Sequence, residues 1–231
     1  MKKKIAIVGG AGFIGHNLAV ALTAKGYEVS VIDSLGVNNL ISVLANNDNQ
    51  PRTKLDKVIL NERMNLINKN KIKFYILDAR DYHLLSRAFN EISPDVIIHL
   101  AAVSHSNQSN KDPYNTFDHS LRTLENSLDN AKNRVQHFIF LSSSMVYGNF
   151  KTKEVNEETY CEPIGIYGAL KFAGEKLIIA YNQVFNLPYT IVRPSALYGE
   201  RCISRRVGQV FMEKAFFNET LEIVEDGSFT L

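Results

Sequence analysis

MKKKIAIVGGAGFIG, residues 1–15, decides the fold: an apolar run from Ile5 to Val8 is followed by Gly9, Gly12 and Gly15. The run reads as a buried strand, the glycines as a tight turn, and Phe13 and Ile14 as the opening of a helix. Gly9 permits the turn, Gly12 lets the backbone approach a pyrophosphate, and Gly15 lets the helix pack on its strand. The helix N-terminus offers unpaired N–H donors to the phosphates. Spaced glycines also occur in turns that bind nothing, so the reading needs an acidic residue about 20 positions on, at the end of a second strand. Asp33 closes YEVSVID at that place. Its carboxylate would accept both ribose hydroxyls of NAD and repel the 2′-phosphate of NADP, so NAD is the expected cofactor.

The remaining composition narrows the class. With 231 residues, 45% of them hydrophobic, the chain can bury a full core in one domain or one and a half. Lys and Arg number 26 against 24 Asp and Glu, a balance too even to argue for nucleic acid or membrane. MKKK before an apolar run imitates a secretion signal, but the run is short, broken by glycines and explained as strand and loop. No apolar stretch reaches the roughly 18 residues of a membrane span. A cytoplasmic protein with a small-molecule ligand is expected, with Cys161 and Cys202 as free thiols.

Outward from the glycine loop, strands and helices alternate, which predicts a doubly wound parallel α/β sheet. A helix spans Phe13 to Lys25. Segment 36–71 carries two helical patterns, VNNLISVLA and LDKVILNERMNLI, and reads as a helical insertion. IKFYIL is a third strand ending at Asp78, Asp81 opens a helix, and DVIIHLAA is a fourth strand, continuously apolar as a doubly covered strand should be. A helix from Tyr114 to Ala131, the strand HFIFLSSS, a helix from Ile166 to Val184 and the strand YTIVRP follow. Beyond Ser195 come a loop with Arg201, Arg205 and Arg206, a helix near Val207 to Phe217, and a strand LEIVE.

Tyr167 and Lys171 stand four apart at the start of a helix, hence on one face. A free tyrosine titrates near pH 10, but a nearby ammonium and a nicotinium ring both favour phenolate, which makes a base. Ser142, Ser143 and Ser144 end the fifth strand, at the edge where such sheets place ligands, so a hydroxyl there can meet the base across a substrate.

With these motifs in order, the chain resembles the extended short-chain dehydrogenases, specifically the NAD-dependent nucleotide-sugar epimerases and dehydratases. GGAGFIG, Asp33, DARD at 78–81, HLAA at 99–102, SSSMVYG at 142–148, YGALK at 167–171 and RPSALYG at 193–199 carry the resemblance. It implies a Rossmann domain over 1–194 and a small substrate-binding lobe from 195. That lobe would be incomplete at 231, because relatives continue well beyond a segment like VEDGSFTL, so the chain reads as truncated. It makes Tyr167 the acid/base, Lys171 its partner and a holder of the nicotinamide ribose, and Ser143 the catalytic hydroxyl. Asp78 and Ala79 would face the adenine, Ala101 and Ala102 the middle of the cofactor and Pro194 its nicotinamide side, with Leu100 and Ser142 also binding the cofactor. Ser104, His105, Ser143, Ser144, Ser195 and Arg201 would contact substrate.

Departures from the family pattern point to the reaction. Dehydratases carry an Asp-Glu pair after the catalytic Thr, where Ser144 and Met145 stand here. Ala196 and His119 replace family asparagines, and Leu231 stands where many relatives have an Arg. The resemblance therefore implies an epimerase acting on a nucleotide sugar, serving surface polysaccharide or sugar-nucleotide biosynthesis. A dehydratase or reductase is the nearest alternative, and a non-catalytic NAD sensor an alternative of another class. Relatives pair the two helices 114–131 and 166–184 across a twofold axis. Phe117, Leu121, Leu124, Leu128, Phe172 and Ile179 supply apolar surface for such a homodimer. His99, His105 and His119 lack metal-ligand spacing, so no metal is expected.

Overall fold

The computed structural model describes residues 2–37, 39–45, 50–104, 106–205 and 207–222. Six parallel strands form one sheet in the order β3-β2-β1-β4-β5-β6. They are β1 (Lys4–Val8), β2 (Glu28–Asp33), β3 (Lys73–Ile76), β4 (Val96–His99), β5 (His137–Leu141) and β6 (Tyr189–Val192). β1 is central, with Val8 in register with Ile32 on one side and His99 on the other. Because β1 pairs with both β2 and β4, chain order reverses beside it, which is where such a sheet opens a crevice at its carboxyl edge.

Alternate residues of the strands feed two cores. Ala6, Val8, Ile32, Ile97, Phe138 and Phe140 pack under α4 (Tyr82–Ile92), α7 (Thr123–Ala131) and α8 (Gly165–Phe185). Ile5, Ile7, Val29, Val31 and Ile98 pack on the opposite face with α1 (Phe13–Ala24) and with Ile67 of α3 (Pro51–Lys69). Covered on both faces, β1 carries the unbroken apolar run Ile5–Val8 seen in the sequence. Asp81 caps α4 by accepting the Leu84 N–H at 2.9 Å, as its position predicts.

Segment 36–71 differs from the expected insertion. After the short α2 (Leu40–Ala45), α3 is itself the crossover that parallel strands β2 and β3 require. It buries Asp56, Leu60, Arg63 and Ile67, one stripe at helical spacing that is apolar toward the sheet and charged toward the cleft.

The helix expected over 114–131 is formed, with a π-helical turn inside it. α5 (Ser106–Lys111) and α6 (Pro113–Phe117) lead into a π-turn at Asp118–Arg122 before α7 resumes. Of the six apolar residues expected at a dimer contact, Leu124 and Leu128 face the sheet and are buried, whereas Phe117 is 48% exposed. After β6 comes α9 (Val207–Phe216). Leu221 and Glu222 are in no regular structure; the remainder of the LEIVE strand and Leu231 lie outside the described residues, as do His105 and Arg206. No described helix is long and apolar enough to cross a membrane, and neither Cys161 nor Cys202 forms a disulfide.

Candidate active site

The carboxyl edge of the sheet opens on a cleft of about 1420 Å³. It collects Gly9, Gly12, Phe13, Ile14 and Gly15 from the first loop and Asp33, Asp78 and Ala79 from the ends of β2 and β3. The β4 end adds Leu100, Ala101, Ala102 and Ser104; Ser142, Ser143, Ser144, Tyr167, Lys171, Pro194 and Ser195 complete the opposite side. Of the remaining expected site residues, His105 lies outside the described residues and Arg201 is not part of the lining.

The loop end has the shape of a phosphate cradle. Gly9 adopts φ +81°, and a Cβ there would lie 2.7 Å from the Ala101 backbone nitrogen, so no other residue fits. A Cβ on Gly15 would come within 2.6 Å of Gly10 Cα, which is why α1 packs this closely on the loop. Gly12 begins α1, and no side chain caps the helix. The first N–H groups of α1 therefore face the cleft with the positive end of the helix dipole. Asp33 accepts the Ala11 N–H at 3.0 Å and the Leu35 N–H at 2.8 Å. Burial raises its pKa above the ordinary carboxylate value, and those two hydrogen bonds oppose the shift. At β3, burial also works to raise Asp78, but the Arg80 guanidinium and N–H hold it below its usual value. These residues fit a dinucleotide: glycines at the loop where a Cβ would clash, uncapped helix donors for a pyrophosphate, and a carboxylate at the end of β2 lining the same cleft.

The other end is built on α8. Lys171 is buried, donates to the Leu141 carbonyl at 2.7 Å, and stands 5.9 Å from the Tyr167 ring centre and 5.0 Å from that of Phe140. Burial lowers its pKa to about 8. Ser143 accepts the Met145 N–H at 3.2 Å and so caps the 3₁₀ turn Ser144–Tyr147. That bond uses an acceptor site and leaves the O–H to donate. Ser142, expected to meet the cofactor, lines the cleft and donates its hydroxyl to Glu175 at 2.5 Å.

Glu175 is a residue the sequence motifs did not single out. It is 1% exposed and takes a two-pronged pair from Arg193, Nε to Oε1 at 2.9 Å and Nη2 to Oε2 at 2.7 Å. Arg193 also donates to the Tyr147 hydroxyl at 3.1 Å, so one buried pair ties α8, β6 and the serine loop together. An arginine directly before Pro194 was visible in the sequence, but its partner on α8 was one glutamate among many. Three carboxylates line the cleft among the described residues, Asp33, Asp56 and Asp78, and all belong to the β2–β3 side. No described group of His, Cys, Asp and Glu residues is arranged to hold a metal ion.

Known proteins agree with this architecture. The model of a family described as NAD dependent epimerase/dehydratase matches residues 5–228. A dTDP-D-glucose 4,6-dehydratase of Dictyostelium discoideum is 29% identical over 99% of this chain and 51% of its own length. A UDP-glucose 4-epimerase of Lacticaseibacillus casei is 30% identical over 82% of this chain and 50% of its own. The chain thus spans about half the length of these relatives. Among solved structures, UDP-glucuronic acid 4-epimerase from Bacillus cereus, in complex with UDP-glucuronic acid and NAD, superposes with a TM-score of 0.80 at 26% identity, covering 99% of this chain and 67% of that one.

Proposed function

Because the chain belongs to the NAD-dependent epimerase/dehydratase family, we propose that it epimerises a nucleotide sugar through a transient keto intermediate. NAD bound in the cleft supplies the chemistry of taking a hydride from one sugar carbon and giving it back. Tyr167 accepts the proton of the hydroxyl on that carbon, Lys171 beneath it favours the phenolate, and Ser143 donates to the same sugar oxygen. After the keto sugar has turned over, Tyr167 returns the proton as the carbon regains its hydride on the opposite face. Carbon and oxygen each recover what they gave, so no reductant is consumed.

One observation favours epimerisation over loss of water: among the described residues, no carboxylate lines the cleft on the side of Tyr167, where Ser144 and Met145 stand. Elimination needs an acid and a base beside the sugar, and help of that kind is worth about 10²- to 10⁴-fold. Tyr167 and Lys171 together argue against a non-catalytic sensor. We further place the protein in the cytoplasm as a homodimer serving surface polysaccharide or sugar-nucleotide synthesis. Leu121 also packs, partly buried, against the core, so Phe117, Phe172 and Ile179 are the residues left for the dimer contact.

The test uses full-length protein with NAD and a panel of nucleotide sugars. The expected product has unchanged mass, inverted configuration and no accompanying net NADH. Loss of water would mean a dehydratase, and steady NADH formation or consumption a net oxidoreductase. Tyr167→Phe should lower turnover by about 10²- to 10⁴-fold while NAD still binds; near-normal turnover would refute its role as the base.

A further inference from the structure

Arg201 leaves the cleft lining because its side chain is committed elsewhere. Its Nε donates to His16 Nε2 at 3.0 Å and its Nη2 to Asn17 Oδ1 at 3.0 Å, both on α1. An arginine Nε–H can only donate, so His16 Nε2 is the accepting nitrogen and its Nδ1–H donates to the Gly12 carbonyl at 2.8 Å. His16 is buried and neutral, its pKa lowered to about 4 chiefly by desolvation. The glycine loop is thereby joined through one imidazole to the guanidinium of Arg201.

The backbone of the same residue is held from the other side. Arg63 of α3, 1% exposed, donates Nε and Nη2 to the Arg201 carbonyl at 3.0 and 2.5 Å. Four residues on, Arg205 pairs with Asp56 of α3 at 2.9 and 3.0 Å and with Glu213 of α9 at 3.2 Å. Arg52, one turn before Asp56, pairs with Glu219. Asp56, Arg63, Ile203, Ser204 and Arg205 all line the cleft, so the segment walls it between the glycine loop and α3. Arg201 and Arg205 hold φ of +63° and +48°, left-handed values that are unfavourable for a non-glycine residue. Such strain persists only where surrounding contacts impose it.

We propose that residues 199–205 are a strap that retains the dinucleotide, with Arg201 its positioning residue and Arg63 and Asp56 of α3 its anchors. The strap spans the route between the phosphate loop and solvent, and it must lift for cofactor to enter or leave. Strain in its backbone favours lifting; the pairs to α1 and α3 oppose it. Retention suits a reaction that regenerates its cofactor in place, so the inference rests on the function proposed above.

The experiment reads exchange and not turnover. Full-length protein is loaded with NADH and chased with excess NAD while NADH fluorescence is followed in stopped flow; association is timed separately. Losing the charged hydrogen bonds in Arg201→Met should raise the release rate by about tenfold or more, and Asp56→Asn or Arg205→Gln by about threefold. Association should quicken as well, because a strap obstructs both directions. Urea unfolding checks that each variant is folded; if Arg201→Met is not, the two anchor variants carry the test. Unchanged release rates in folded variants, or faster release without faster association, would overturn the strap. Failure of the wild type to bind NADH would overturn the dinucleotide reading with it.

Discussion

At the redox end of the cleft, the serine loop is braced by an ion pair whose side chains are 2% and 18% exposed, Glu175 with Arg193. At the adenosine end, the bracing pairs are more open: Asp56 and Arg205 are 11% and 36% exposed, and Arg52 and Glu219 are 40% and 44%. A buried pair cannot part without leaving a charge stranded in low dielectric, whereas a half-exposed pair exchanges its partner for water at little cost. On the function and the strap proposed above, the chain fixes the geometry where a proton and a hydride would be aligned, and keeps its joints separable where a cofactor would pass.

Single neutralisations break or sustain that contrast most directly. Glu175→Gln leaves Arg193 without a charged partner and should cost about 3–5 kcal/mol of unfolding free energy. Asp56→Asn should cost less, because its partner Arg205 is 36% exposed and can turn to water. Both are read from urea unfolding of the cofactor-free protein. Equal costs would mean that the two ends are braced alike.

How much of this was legible beforehand follows the same division. GGAGFIG, Asp33 and the tyrosine and lysine of YGALK carry their geometry in the sequence, because a tight loop tolerates only glycine and an i, i+4 pair shares a helix face. The residues that hold those groups in place did not show. Glu175 and Arg193 are 18 positions apart, and Arg63 and Arg201 are 138 apart; only folding brings them together. Segment 36–71 reads as an insertion because it is rich in Asn and Lys around two helical patterns, yet Asp56 and Arg63 of α3 are buried and line the cleft. Arg201 reads as a substrate contact only through the family resemblance. Its bonds to His16 and Asn17 depend on how closely that loop passes over α1.

Lys171 sharpens the contrast from the redox end, where even an amine without a carboxylate partner is buried. Desolvation lowers its pKa from 10.5 to about 8. Between those values the unfolded chain holds a proton that the folded chain has released, so stability rises with pH across that window. The rise should be on the order of 2 kcal/mol between pH 8 and 10.5 and should vanish in Lys171→Met. Urea midpoints for both proteins across that range supply the measurement. An identical pH slope in the variant would mean that the amine is solvated.

Asp33 gives the smallest effect and probes the adenosine end. Its two oxygens accept the Ala11 and Leu35 N–H groups, which fixes the carboxylate at the strand end where a ribose diol can reach it. The same carboxylate repels a 2′-phosphate, so NAD should bind at least about tenfold more tightly than NADP at pH 7.5, a difference of about 1.4 kcal/mol. The preference must also depend on pH. Because burial raises the Asp33 pKa, the carboxyl takes up its proton at a higher pH than an exposed aspartate, and repulsion fades as pH falls through that value. A 2′-phosphate titrates near pH 6 on its own account, so the comparison that isolates Asp33 is with Asp33→Asn, in which only the phosphate titrates. Calorimetry of both dinucleotides in a series of descending pH from 7.5 should show a larger loss of NAD preference in the wild type than in Asp33→Asn. Equal affinities at pH 7.5 would remove Asp33 as the discriminating residue, and an equal pH response in the two proteins would mean that its carboxyl stays ionised despite its burial.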